Sequence, residues 1–140
     1  MEISVWAVLA FALWTIIILF LGVGVHRWSL ILTGRAEIKS FVADEPQGTP
    51  FYRRAMRAHA NCVENLPLFL AIVFAAQMSG TKSGPFDTLA IAVVGVRVLQ
   101  SVTHLASGSN RAVALRFIFF VMQIAAFVWM SVIVINRAMA

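Results

Sequence analysis

Arg57, Asn61 and Glu64 stand at i, i+4 and i+7 in the stretch Arg53-Arg54-Ala55-Met56-Arg57-Ala58-His59-Ala60-Asn61-Cys62-Val63-Glu64-Asn65-Leu66-Pro67. On a helix these three share one face, with Arg54 one turn earlier. The chain then runs apolar from Leu68 to Ala76, so a guanidinium, an amide and a carboxylate lead straight into a membrane-like segment. Ionisable groups at such depth are costly and must meet protein, water or a polar ligand rather than lipid. Two uses are open: the groups satisfy one another between helices, or they line a site. A second polar row repeats the pattern, with Arg97, Gln100, Ser101 and His104 at i, i+3, i+4 and i+7 inside another apolar segment.

An unpaired arginine in mid-membrane costs about 2.5–3.5 kcal/mol. Arg97 therefore needs a partner, and a structural Glu64–Arg97 pair is the expectation. Arg35, Arg54, Arg57 and Arg111 remain around a cleft, with Asn61, Asn65, Gln100 and His104 offering neutral hydrogen bonds. Guanidinium forks suit carboxylates, and a helix beginning at Arg111 adds its own attraction for an anion. A small acidic peptide fits such a site. A thiol carried by that peptide would be mostly protonated at neutral pH, with an ordinary pKa near about 8.5, and one well-placed arginine would raise its thiolate fraction. Arg111 either supplies that charge or stands at a helix end for topological reasons alone.

Other chemistries fit poorly. Cys62 is the only cysteine, which excludes an internal disulfide or a thiolate metal cluster, and a small residue packed in a helix is its simplest role. His26, His59 and His104 lack the spacing of a metal site, so no metal is expected. The net charge of +5 could suggest nucleic acid, but with 61% hydrophobic residues and 12% charged residues there is no soluble domain to carry such a site.

The elements that must position these groups are membrane spans, expected over about residues 5–32, 51–78, 86–106 and 111–135, in one domain covering 1–140. Glu2 is the only early charge, so the first span lacks the basic leader of a cleaved signal and is read as retained. Thr49-Pro50 is a strong helix start, Pro85 opens the third span, and Ser109 or Asn110 caps the fourth. Pro67 removes a backbone N–H within the second span and should kink it. The fold class is thus all-α, an integral-membrane four-helix bundle. Basic residues concentrate at the first loop (Arg27, Arg35, Lys39, Arg53, Arg54, Arg57) and the third (Arg111, Arg116), which places loops one and three in the cytoplasm and both termini outside. A polar face too wide for so thin a bundle to hide implies oligomerisation.

The motif Arg-Ala-His-x-Asn-x-x-Glu-x-x-Pro at residues 57–67 resembles the second-helix motif of the MAPEG family, membrane-associated proteins of eicosanoid and glutathione metabolism. The resemblance extends to four spans, a long basic first loop, and a third-helix Arg97 followed by a short loop to Arg111. It implies a homotrimer in membrane lipid that binds glutathione as cofactor, with Arg57, Asn61, Glu64 and Asn65 on positions that hold it. His59 matches a position occupied by glutamine or histidine, Arg35 a first-helix basic position, and Arg111 the fourth-helix arginine that stabilises the thiolate. Gln100 and His104 replace tyrosines of leukotriene-type relatives, and both can still hydrogen-bond. The implied activity is glutathione transfer, or peroxide reduction, on a lipophilic substrate arriving through the bilayer. The family also includes a non-catalytic member, so a scaffold for a lipid or partner protein is the alternative.

Overall fold

The computed structural model describes residues 2–41 and 48–140. The first-loop residues Asp44, Glu45 and Pro46 lie outside the described residues. Four helices are each long and apolar enough to cross a membrane: α1, Ile3–Leu32; α2, Pro50–Met78; α3, Gly84–Ala106; and α4, Asn110–Met139. They form an all-helical, multi-pass membrane bundle, with no strand among the described residues.

The helix starts follow the expected chemistry. The Thr49 side chain accepts the Tyr52 N–H at 3.2 Å with Pro50 in the first turn, and the Ser109 hydroxyl accepts the Ala112 N–H at 3.3 Å. These oxygens satisfy N–H groups that have no partner within their own helices. Ser83 does the same for Phe86 ahead of α3. Pro67 sits inside α2 without ending it, leaving the Val63 carbonyl without the usual helical donor.

Buried positions on α2 recur as Tyr52, Ala55, Ala58, Cys62, Asn65, Phe69, Val73 and Ala76, a stripe at helical spacing. After Tyr52 the stripe is small through Ala55, Ala58 and Cys62, which lets α1 come close. A Cβ placed on Gly22 would lie only 2.8 Å from the Ala55 Cβ, so glycine is required at this crossing. Gly22 falls in Ile18–Gly24, a π-helical stretch that interrupts the α-helical winding of α1. Deeper in the bundle, Phe69 packs between Phe11 of α1 and Phe127 of α4, with ring centroids 5.8 and 6.0 Å away. Outward faces carry Leu13, Phe20, Phe74, Phe117 and Val128, all exposed within the single chain, as lipid-facing or subunit-facing surfaces are.

Side-chain contacts fix the arrangement of the ends. Arg54 of α2 donates from Nε to the Leu105 carbonyl of α3 at 3.1 Å, joining the first-loop and third-loop ends. At the opposite end Gln77 donates to Glu2, and Lys82 lies 3.9 Å from the same carboxylate, joining the N-terminus to the second loop.

Candidate functional site

The two polar rows turn away from each other. Cys62 Sγ lies 3.6 Å from the Ser101 hydroxyl, so the Cys62 face of α2 is the one that meets α3. Glu64, two residues on and thus about 200° around the helix, points the other way. It is exposed, as is Arg57, while Asn61 is partly exposed. Among the described residues, nothing covers Arg57 or Glu64, and Asn61 is covered only in part.

The third-helix row is instead buried: Arg97, Gln100, Ser101 and His104 all face inward. Arg97, only 1% exposed, donates through Nη2 to Gln123 Oε1 of α4, and its guanidinium lies 5.5 Å from the Phe11 ring centroid. The expected Glu64–Arg97 pair is therefore replaced. Glu64 is on the wrong face of α2, and the partner of the buried cation is a neutral amide whose oxygen accepts a charge-assisted hydrogen bond. Gln100 donates from Nε2 to the Arg116 carbonyl at 3.0 Å, and His104 Nδ1 is 2.9 Å from Arg116 Nη1. Because a guanidinium only donates, His104 Nδ1 is the acceptor and its proton resides on Nε2. Both residues expected to face a ligand are thus occupied in holding Arg116.

Asn65 is also turned inward, donating to the Asn61 carbonyl of its own helix at 2.7 Å. His59 is half-buried, and its Nδ1 has no partner among the described residues. Arg35 follows the end of α1 and Arg111 begins α4, and both are exposed.

Beside the open α2 row, Pro50, Arg53, Arg54, Arg57 and Gly108 line a basic pocket of about 210 Å³. Arg116 and His104 stand behind it, in the electrostatic reach of Arg54 and Arg57. Three further residues hold the root of α2. Arg27 donates from Nε to Tyr52 Oη at 2.6 Å, and the His26 ring stacks on Tyr52 with centroids 4.3 Å apart. Gly48, at φ 119°, passes so near that a Cβ would meet Tyr52 Cδ1 at 3.1 Å. Neither Arg116 nor the Arg27–Tyr52 bond stood out in the sequence. The first was detectable, since Arg116 and Gln123 lie on the same helical stripe as the buried Ala112, Phe127, Met130 and Val134.

What results is a four-span helical membrane protein that presents Arg57, Asn61 and Glu64 on an open face beside a cluster of arginines. Guanidinium groups in such an arrangement have the geometry that suits carboxylates, and Glu64 is a carboxylate of the charge that suits an ammonium group. Residues 4–136 match the model of the MAPEG family, and the chain belongs to that family. The family includes glutathione transferases and leukotriene C4 synthase among other proteins. No curated protein and no solved structure matches the chain.

Proposed function

We propose that this protein is a glutathione-using membrane enzyme, a transferase that ionises the glutathione thiol for attack on a lipophilic electrophile, and that it works as a homotrimer. The observation that carries the reading is the exposure of Arg57 and Glu64 on one face of α2, far enough along the helix to lie within the membrane. Glu64 is fourteen residues past Pro50, about 21 Å at 1.5 Å per residue. A carboxylate there is tolerable only where another subunit or a polar ligand covers it.

Glutathione has the chemistry to do so. Its two carboxylates suit Arg57 and either Arg54, one turn earlier on α2, or Arg35, its ammonium suits Glu64, and Asn61 bonds its amides, while His59, about 200° around α2 from Arg57, reaches a glutathione held by a neighbouring subunit. The first-loop end then faces the cytoplasm, where the basic residues concentrate. Gln100, His104 and Asn65 support this edge from within, the first two by orienting Arg116. The thiol is assigned to Arg111, whose guanidinium and the N–H groups opening α4 both favour negative charge. The lipophilic partner enters from the bilayer between subunits.

The test is thiolate absorbance and turnover with a generic electrophile. Arg111→Ala retains glutathione binding but loses the thiolate signal near neutral pH, and turnover falls at least about tenfold, equivalent to about 1.4 kcal/mol of barrier. Equal turnover in wild type and variant, well above background, removes Arg111 from the mechanism.

A further inference from the structure

Positive charge collects where α2 begins and α3 ends. Arg53, Arg54 and Arg57 line the basic pocket of about 210 Å³ with Pro50 and Gly108, and Arg116 lies behind it. The ion pairs among the described residues are Lys39–Glu37 and Lys82–Glu2, so none of these four guanidinium groups meets a carboxylate there. Glu64, the one acid of α2, stands seven residues past Arg57, about 10 Å along the helix. A glutathione on the α2 face would bring two carboxylates and still leave two of the four cations without a counter-charge. The cluster calls for a second anion.

Arg54 is already set to receive one. Its Nε donates to the Leu105 carbonyl at 3.1 Å, which fixes the half-buried guanidinium at the junction of the two helices and leaves its Nη groups without an acceptor among the described residues. Arg53, beside it, is exposed. The wall at Gly108 is open, since a Cβ there would have nothing within 4 Å.

We propose that this pocket holds the phosphate of an anionic phospholipid head group, with Arg53 and the Nη groups of Arg54 as donors. Depth favours a lipid. With 29 residues, α2 is about 43 Å long, which matches a bilayer with its head-group layers, about 40–45 Å. Arg53 and Arg54, three and four residues past Pro50, thus lie about 5–6 Å from that end, at head-group level rather than in the hydrocarbon. Size agrees with depth: the pocket is smaller than the roughly 300–1,000 Å³ that encloses a free small molecule, and a ligand anchored by its acyl chains needs only its phosphate covered. Planar guanidinium forks match phosphate oxygens in pairs, and anionic lipid attracts basic residues at a membrane surface. With lipid on Arg54, the second carboxylate of glutathione falls to Arg35. The lipid site does not rest on the glutathione reading, because without glutathione the uncompensated charge is greater.

The test is the association of acyl-chain spin-labelled phosphatidylglycerol with the purified full-length protein in phosphatidylcholine nanodiscs, followed by electron paramagnetic resonance in the absence of glutathione. It should associate at least about tenfold more strongly than spin-labelled phosphatidylcholine, and Arg53→Gln, at an exposed residue, should lower that preference about fivefold. Gly108→Glu adds a carboxylate to the pocket while removing no arginine, and should abolish the preference. Lys39→Gln takes one charge from the same end of the molecule outside the pocket and should change it less than about twofold. Circular dichroism and melting establish that the variants are folded. Equal association of the two lipids with wild type, an undiminished preference in Gly108→Glu, or a loss in Lys39→Gln as large as in Arg53→Gln overturns the proposal. Displacement of the lipid by glycerol 3-phosphate assigns the pocket to soluble phosphates, displacement by glutathione assigns it to glutathione, and either result overturns it as well.

Discussion

Replacing Gln123 by leucine strands a cation inside the bundle, and the structure sets the size of the loss. Arg97 is 1% exposed, its Nε has no partner among the described residues, and the Gln123 oxygen and the Phe11 ring are its side-chain support in the bundle. Removing the amide loses a hydrogen bond to a charged group, worth about 1.5–3 kcal/mol net, and leaves the guanidinium desolvated. Gln123→Leu should therefore cost about 3 kcal/mol. Arg97→Met removes the charge itself. It orphans the Gln123 oxygen, at about 1–3 kcal/mol, but relieves the burial of a cation, so its net cost should be about 1 kcal/mol. With both polar groups gone the interface becomes apolar and of similar volume, and the double variant should also lose only about 1 kcal/mol, because replacing a buried polar pair by hydrophobic residues is often nearly neutral. The expected coupling is about 3 kcal/mol. Unfolding in a mixed-micelle SDS titration, followed by circular dichroism, measures all four proteins. Independent sites add within about 0.5 kcal/mol, and additivity at that level here would refute the pairing of Arg97 with Gln123.

Two smaller changes probe the elements that hold the site. Gly22→Ala puts a methyl group 2.8 Å from the Ala55 Cβ and should lower stability by about 1–3 kcal/mol, with Ala55→Gly in the same chain restoring part of it; an unchanged melting temperature would mean that α1 and α2 do not approach this closely. Tyr52→Phe deletes the oxygen that accepts from Arg27 and should cost about 1 kcal/mol in the same titration, whereas Phe41→Leu, which removes only the ring 5.2 Å from the Arg27 guanidinium and keeps that bond, should cost less.

The spans and their starts were legible because they depend on local chemistry. Uninterrupted apolar length marks a crossing, and Thr49 and Ser109 supply the oxygens that helix N-termini require, whereas the Ser83 cap ahead of Pro85 did not stand out. The two polar rows were legible for the same reason, since helical periodicity alone puts Arg57 with Glu64 and Arg97 with His104. Which neighbour each row meets was not. That depends on how each helix is rotated about its axis, and rotation is set by long-range packing such as Phe69 between Phe11 and Phe127 and the close approach of Gly22 to Ala55. Charge matching pointed Arg97 to Glu64. The rotation of α3 toward α4 gave it Gln123 instead, and turned Gln100 and His104 toward Arg116. The π-helical stretch in α1 left no sign in composition, because residues such as Ile18, Leu19 and Phe20 suit either winding.

The central claim is that the open α2 face binds glutathione, and isothermal titration of the protein in nanodiscs tests it most directly. Wild type should bind glutathione with one site per chain or per subunit interface. Arg57→Ala should abolish detectable binding, and Glu64→Gln should weaken it at least tenfold while leaving the affinity for a glutathione analogue without its ammonium group almost unchanged. No heat of binding in a folded wild-type protein, or equal affinity in wild type and Arg57→Ala, would contradict the account.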